Sequence, residues 1–550
     1  MPRLEKRVGL LFFFCLLLLM GIMGRAFYLQ GIQGSSYAAQ ATGQQEDIIE
    51  VPGLRGAILD RNGLELAGSE PGASIYATPY QIKDPNAESE SVAEALGASQ
   101  DDVYEAIIQP GGFSYVAKKV DLKHASRVEK LGLEGIGQHP DTIRTRPQGD
   151  LASQVIGAVN EEGDGLSGLE SAENTSLEGI NGKRRLVKDA LGDPIRLDNL
   201  GDSSDGKPVE LTLDASIQAE AERVLAEVGA TYDPVNASAV VMDTRTSQVL
   251  AMANWPPVDL DNLETASEDS LLNVGTSYTY EPGSTFKAIT VASALETGMV
   301  TPESTFTLAP SIKIYDRVIE ESHARGTVSL SVGDILAQSS NVGAVTIGLE
   351  MGGRKFSKWI DKFGFGHPTG IEYPGEEQGI VLPYKDWSGS TIGNVPMGQG
   401  LAVTPIQMVE AYGALANGGI LRQPKLIKSI GGVETPTDPG RQIISPEVAN
   451  QVRDMLKGVL APGGTASEVS VPGYTLAGKT GTAQIATGGG YSDTRYVASF
   501  MGIAPADNPA IAVSVMVNEP KNGHTGAETA APAFGELASF TLPYLGVPTE

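Results

Sequence analysis

Residues 473–483 read GYTLAGKTGTA, and the fold turns on which of two patterns inside this stretch is real. Gly473 through Thr480 fit G-x-x-x-x-G-K-[ST], the loop that cradles nucleotide phosphates. Lys479-Thr480-Gly481 also spell K-T-G, the last element of a three-part active-site-serine pattern. A phosphate loop follows a strand and opens directly into a helix, whose first amides hold the anion. Here Thr480 is followed by Gly481, by β-leaning Thr482-Ala483-Gln484-Ile485, and by the glycines 488–490, so no helix is expected. AVVMD (239–243) could stand for an acidic magnesium-binding strand, but it lies more than 200 residues ahead of the loop.

The serine pattern makes a demand that can be checked. K-T-G requires S-x-x-K at the start of an upstream helix and S-x-N between the two. EPGSTFK supplies Ser284 and Lys287, QSSN supplies Ser339 and Asn341, and the intervals are 55 residues to Ser339 and 140 more to Lys479. Pro282-Gly283 break the chain, so Ser284 is expected in the first turn of a helix ending at Gly298. Residues three apart share a helix face, which places the Lys287 amine beside the Ser284 hydroxyl. A serine is a weak nucleophile until a neighbouring base takes its proton. Lys287 can be that base if burial and a second cation, Lys479, depress its pKa.

Ser339 can relay a proton, and the Asn341 amide can hold Lys287 and a substrate peptide. Lys479 offers charge to a substrate carboxylate, with the Thr480 and Thr482 hydroxyls nearby. Gly481 leaves room for a peptide along the strand edge. The backbone amides of Ser284 and Thr482 are the expected oxyanion donors. Singly, each motif has an ordinary explanation: a surface helix, a turn, a solvated strand end. All three occur here, in order and each in its expected context.

The 550 residues leave room for two or three domains. With 41% hydrophobic and 19% charged residues, the composition is that of a globular protein. Forty basic against 67 acidic residues give a net charge of −27, which disfavours nucleic acid as a partner. Cys15 is the only cysteine, so disulfides and thiolate metal sites are excluded. The five histidines, His124, His139, His323, His367 and His524, show no metal-ligand spacing. No metal and no cofactor is expected, and a Ser-His-Asp triad is poorly supported.

VGLLFFFCLLLLMGIMG (8–24) is uncharged, and AFYL extends it after Arg25. That length suits a membrane-spanning helix and exceeds a typical signal-peptide core. Arg3, Lys6 and Arg7 precede it, whereas no Lys or Arg lies between Arg25 and Arg55. The bias keeps the N-terminus cytoplasmic and sends the body across the membrane. Cleavage at Ala39-Gln40-Ala41 is the alternative; either way the body is exported, away from cytoplasmic nucleotides.

Residues 30–205 are mixed, without a sustained helical period, and NLGDSSDGKP (199–208) marks a break. ELTLDASIQAEAERVLAEV (210–228) then reads as a strand, a cap and an amphipathic helix. ASAVVMD (237–243) and QVLAMAN (248–254) read as a hairpin. Residues 284–460 are mostly helical in pattern, with Ser331 as a cap for SVGDILAQ and helices over VGAVTIGLEMG and RKFSKWIDKFG. Strands return at 474–485, 496–504 and 510–519. TGAETAAPAFGELASF closes as a helix, expected to be interrupted near Pro532. Strands at both ends with helices between predict one antiparallel sheet carrying a helical insertion, an α+β fold. The chain ends about ten residues past the last helix, with no room expected for an appended module.

The set resembles the class B penicillin-binding proteins, monofunctional D,D-transpeptidases of bacterial cell-wall synthesis. RGAILDRNG (55–63) and GLSGLE (165–170) resemble the family's two N-terminal signatures. LTLDASIQ (211–218) resembles the start of its transpeptidase domain, and MGQGLAVTPIQM (397–408) a segment before K-T-G. RTRPQGD (144–150) departs from the family in having Arg146 where an aromatic often stands, a difference expected to touch the pedestal rather than the chemistry. Ser-Ser-Asn and the absence of C-terminal repeats look more like the septal, cell-division type than the elongation type.

The resemblance implies a cytoplasmic tail (1–7), a transmembrane anchor (8–29), an elongated pedestal or dimerisation domain (30–205) and a serine β-lactamase-like transpeptidase domain (206–550). It implies acyl transfer through Ser284, cross-linking of peptidoglycan stem peptides with release of terminal D-alanine, and acylation by β-lactams. The implied partners are those peptides, the membrane, a polytopic glycosyltransferase and other division proteins. Two rivals share features of the reading. A β-lactamase or carboxypeptidase would pass the acyl group to water, with Glu372, Glu376 or Glu377 as conceivable bases. A β-lactam sensor would need a cytoplasmic output module, and about seven residues precede the anchor.

Overall fold

The computed structural model describes residues 2–33, 46–188, 194–488 and 490–550. Its chain contacts divide it into two compact units. One comprises Met1–Leu54, Glu70–Ile143 and Gly179–Gly206; the other comprises Arg55–Ser69, Arg144–Glu178 and Lys207–Glu550.

In the first unit, helix α1 (Pro2–Phe27) continues into a π-turn at Tyr28–Ile32. The span Leu4–Ile32 has a mean hydropathy of 2.3, is unburied among the described residues, and is long and apolar enough to cross a membrane. The Ala39–Ala41 motif lies outside the described residues. β1 (Glu46–Val51) joins β2 (Gly182–Lys188) and β3 (Pro194–Gly201) in an antiparallel sheet of that order. The expected break at 199–208 therefore begins only after Gly201.

Residues 85–130 differ from the sequence expectation, since three helices, α2 (Pro85–Leu96), α3 (Gln100–Ile107) and α4 (Leu122–Lys130), occupy most of them, with a strand at Ser114–Asp121 before the third. Asp84, Ser99 and Asp121 cap them, each accepting a backbone amide in the first turn. Their buried faces are narrow and partly made of small residues, with Ala93, Ala95 and Ala125 beside Val92, Val103, Ile107 and Val128. A stripe that short and that weakly apolar leaves little periodicity to read.

The second unit begins with a parallel pair, Ile58–Leu59 beside β4 (Val209–Leu211), which pairs in turn with Ile427–Ile430. Here the two N-terminal signatures meet. Arg55 Nε donates to Glu170 Oε2 at 2.6 Å, and Arg144 Nε donates to Glu170 Oε1 at 2.7 Å. All three side chains are buried, with exposures of 7%, 7% and 2% for Arg55, Arg144 and Glu170. Asp60 of the first signature accepts amides from Asn62, Leu64 and Ala215, tying that turn to the LDAS segment. Arg146, the departure from the family, pairs with Asp261.

Helix α5 (Ala215–Tyr232) starts at Asp214, whose carboxylate accepts from Ser216 and Ile217 N–H. The hairpin β5 (Asn236–Asp243) and β6 (Val249–Trp255) follows as the pattern predicts. The insertion then carries α6 (Lys287–Glu296), the hairpin β7 (Ser311–Ile314) and β8 (Arg317–Glu320), then α7 (Val332–Ala337) and α8 (Asn341–Met351). It continues with α9 (Gly353–Lys362), α10 (Pro405–Ala416) and α11 (Pro446–Lys457). Ser331 forms a capping box with Asp334 at the start of α7.

Strands β9 (Ala477–Thr487), β10 (Gly490–Ala504) and β11 (Ile511–Asn518) complete an antiparallel sheet of order β6-β5-β11-β10-β9. Every residue of β11, and all of β5 but Asp243, is buried, so the sheet is covered on both faces. K-T-G lies on β9, an edge strand.

The closing helix α12 (Gly526–Tyr544) is continuous, with Pro532 inside it, where an interruption was expected. Proline lacks the N–H that would bond the Glu528 carbonyl. Tyr232 of α5 supplies the missing donor, its hydroxyl lying 2.8 Å from Glu528 O.

Candidate active site

The three motifs come from three elements of the second unit. Ser284 sits in a 3-10 turn, Gly283–Phe286, which passes directly into α6 at Lys287. The turn is held from below. Gly283 N–H donates to Gly398 O at 2.9 Å, Tyr280 and Val403 exchange both backbone bonds, and Tyr412 hydroxyl donates to Thr285 O at 2.7 Å. A Cβ on Gly398 would collide with the Gly283 carbonyl, so the MGQG segment must be glycine there. This explains physically why MGQGLAVTPIQM belongs with the serine motif.

Lys287 is fully buried. Its amine donates to Asn341 Oδ1 at 2.6 Å and to Ser339 O at 2.7 Å, with Ser339 Oγ at 3.3 Å. Burial pushes its pKa down to about 7, against a smaller opposing pull from Glu321. Ser339 has φ of 58°, a left-handed conformation unusual for a serine, and its carbonyl and hydroxyl both meet the Lys287 amine. Asn341 is fixed from both ends, since its Nδ2 donates to Glu320 O at 2.9 Å. Among the described residues the Ser284 hydroxyl makes no hydrogen bond. The amine is pinned toward the S-x-N loop rather than bonded to Ser284.

Glu321 organises this loop and was not foreseen from sequence. It accepts from Asn341 N–H at 2.8 Å, Ser340 Oγ at 2.7 Å and Val342 N–H at 3.2 Å, and it pairs with Arg325. A buried carboxylate thus caps the N-terminus of α8 and fixes Asn341. These partners hold its own pKa low against the burial that would raise it. Glu281, next to the serine turn, accepts from Gly400 N–H at 3.0 Å and Tyr491 hydroxyl at 3.2 Å, joining turn, MGQG segment and β10.

On β9, Lys479 is fully buried. Its amine donates to Thr480 O at 3.2 Å, and the Thr480 hydroxyl meets that of Thr465 at 2.8 Å. Burial and, secondarily, the Lys287 charge hold Lys479 well below its ordinary pKa. Thr482 is exposed, and its hydroxyl accepts from Gly526 N–H at 3.1 Å. Gly481 has a packing reason beyond strand-edge access. A Cβ there would collide with Ser499 Oγ and lie 3.0 Å from both Pro282 O and Thr285 Cγ2. The glycine lets the serine turn close onto the strand.

A cleft of about 290 Å³ opens over this arrangement, with Ser284, Asn341, Thr482, Gln484 and Tyr491 among its walls. Lys287, Ser339, Lys479 and Thr480 are not among its walls, and Ser339 instead lines a separate cavity with Glu321 and Thr465. Arg317 on β8 covers the Tyr491 ring at 5.9 Å across the cleft. Glu372 and Glu376 are committed elsewhere, to Leu426 N–H and to Thr369 and Gly370. They and Glu377 are absent from the cleft walls. Among the described residues no cluster of His, Cys, Asp and Glu could hold a metal.

Residues 237–539 match the penicillin-binding protein transpeptidase domain, and 50–211 the penicillin-binding protein dimerisation domain. The chain belongs to the penicillin-binding proteins. Its pairing of these two domains makes it a class B member. It is 32% identical to the stage V sporulation protein D of Bacillus subtilis, over 99% of this chain and 86% of that protein. It is 30% identical to the peptidoglycan D,D-transpeptidase FtsI of Escherichia coli, over 97% and 91%. The solved penicillin-binding protein 3 of Mycobacterium tuberculosis, complexed with aztreonam, superposes with a TM-score of 0.72 at 29% identity, covering 92% of this chain and 98% of that one.

Proposed function

We propose that this penicillin-binding protein cross-links peptidoglycan stem peptides with Ser284 as its nucleophile, and that β-lactams acylate the same hydroxyl. The observation that carries the reading is the Lys287 amine, buried, lowered to about 7 and held by Ser339 O and Asn341 Oδ1. A neutral amine spends its two N–H groups on those two acceptors. Its lone pair is then free to take a hydroxyl proton, directly from Ser284 or through Ser339.

The Ser284 oxygen attacks the carbonyl carbon of the penultimate D-alanine. The amide bond to the terminal D-alanine breaks, and that nitrogen leaves carrying the proton Lys287 had taken. An amine of a second stem peptide then attacks the ester, gives up its proton, and restores the Ser284 hydroxyl as the new amide forms. Ser284 N–H lies in a first turn, where amides lack intrahelical acceptors, and serves with Thr482 N–H as the oxyanion site. The donor carboxylate meets the Thr482 hydroxyl, with the buried Thr480 hydroxyl and the Lys479 amine supplying field from beneath. An anion there draws the Lys479 amine back toward its charged form. Gly481 keeps the strand edge open to the peptide.

The anchor orientation follows from Arg3, Lys6 and Arg7, which keep the N-terminus cytoplasmic and the catalytic unit outside the cytoplasmic membrane. Residues 30–205 form the pedestal and 206–550 the transpeptidase domain. The pedestal meets a polytopic glycosyltransferase and other division proteins, and the role is septal. Glu372 and Glu376 are engaged away from the cleft, so neither is placed to activate water as a hydrolase would require.

Incubation with a stem pentapeptide donor and an acceptor amine tests the reaction. The reading expects the cross-linked dimer and free D-alanine, both lost in Ser284→Ala. Release of D-alanine with hydrolysed donor alone would identify a carboxypeptidase instead.

A further inference from the structure

A second cleft, of about 440 Å³, lies away from Ser284 and has Glu410 of α10 in its wall. Glu410 is 7% exposed, yet its carboxylate has no hydrogen bond or ion pair among the described residues. The other acids around it all have partners. Asp438 accepts from Gln423 N–H at 2.9 Å and Gly440 N–H at 3.0 Å. Asp361 meets His367 Nε2 at 2.9 Å, and Glu376 holds Thr369 and Gly370. Arg441 lines the same cleft without pairing to Glu410.

A buried carboxylate without a partner is strongly unfavourable when ionised, so an unpaired one facing a cavity is a place for a cation. The cavity has the size of a small-molecule site rather than a packing defect. Hard metal ions take six or more oxygens, and no group of three ligating side chains exists among the described residues. One free carboxylate in an acidic, roomy cleft instead suits a group with three donors and a single charge. We propose that this cleft binds an organic cation through a primary ammonium group seated on the Glu410 carboxylate.

Without the cation, burial and the nearby Glu376 and Asp438 charges hold Glu410 well above the usual carboxylate range, with Arg441 opposing. Seating an ammonium on it therefore expels a proton, and affinity rises with pH. Asp361, 2.9 Å from His367 Nε2, faces the same cleft.

The test titrates the full chain in detergent with 1,5-diaminopentane, by calorimetry in buffers of differing ionisation enthalpy. Saturable binding with release of up to about one proton is expected, tighter at pH 8 than at pH 6. Glu410→Gln is expected to weaken binding at least about tenfold with its thermal unfolding midpoint retained. Arg441→Ala, at an exposed position, is expected to tighten binding by removing the competing cation. No saturable binding to the unaltered chain, or equal affinity in Glu410→Gln, overturns the proposal. If Glu410→Gln does not fold, Arg441→Ala decides, and unchanged or weaker binding there counts against it. The result is independent of Ser284 chemistry, so its failure leaves the transpeptidase reading intact.

Discussion

The Lys287 amine lies 2.6 Å from Asn341 Oδ1, which binds a fully buried residue of the serine motif to a half-buried one of the S-x-N motif at the cleft wall. That bond fixes where the base sits. Burial sets when it is neutral.

Lys287 accepts a proton only when neutral, and its pKa is lowered to about 7. Acylation by penicillin should therefore rise with pH through about 7 and level off above it, and Lys287→Met should remove it. Stopped-flow acylation rates from pH 5.5 to 9 check this. Stability carries the matching sign. Between about 7 and 10.5 the unfolded chain binds the proton and the folded one does not, so this group makes folding more favourable as pH rises across that window.

Asn341→Asp puts a carboxylate beside the amine and favours its charged form. The acid limb of the same profile should move upward by about one unit or more. An unmoved limb would mean that Asn341 does not contact the working base.

Glu321→Gln acts in the opposite direction on that limb. Removing its charge removes the pull that raises Lys287, so the limb should move to lower pH. The plateau should also fall, on the order of tenfold to a hundredfold, because Asn341 and Ser340 lose their anchor. A purely structural role for Glu321 would lower the plateau without moving the limb.

Glu170→Gln leaves Arg55 and Arg144 buried without their shared carboxylate. Breaking a buried pair in this way costs about 3–5 kcal/mol. A lowered midpoint in thermal unfolding, with β-lactam acylation retained at low temperature, is the expected result.

Much of this was legible in the sequence because it depends on short-range pattern. Ser284 and Lys287 are three apart, Ser339 and Asn341 two apart, and the strands of the central sheet announce themselves by apolar runs between turns. Glu321 was not legible, since its work is done on residues about twenty positions away and no local spacing marks it. The same holds for Glu170, whose arginines lie 115 and 26 residues distant. Pro532 predicted a break because sequence could not disclose that Tyr232, nearly 300 residues earlier, supplies a hydroxyl to the orphaned carbonyl. Tyr232→Phe should cost about 0.5–1.5 kcal/mol, and less in a Pro532→Ala background, where the helix regains its own donor.

The central claim is that Ser284 is the acylated nucleophile. The most direct measurement is peptide mass spectrometry of the full chain after incubation with penicillin. The account predicts one penicilloyl adduct, on the peptide carrying Ser284, and none in Ser284→Ala. An adduct on another residue, or one that persists in Ser284→Ala, would contradict it.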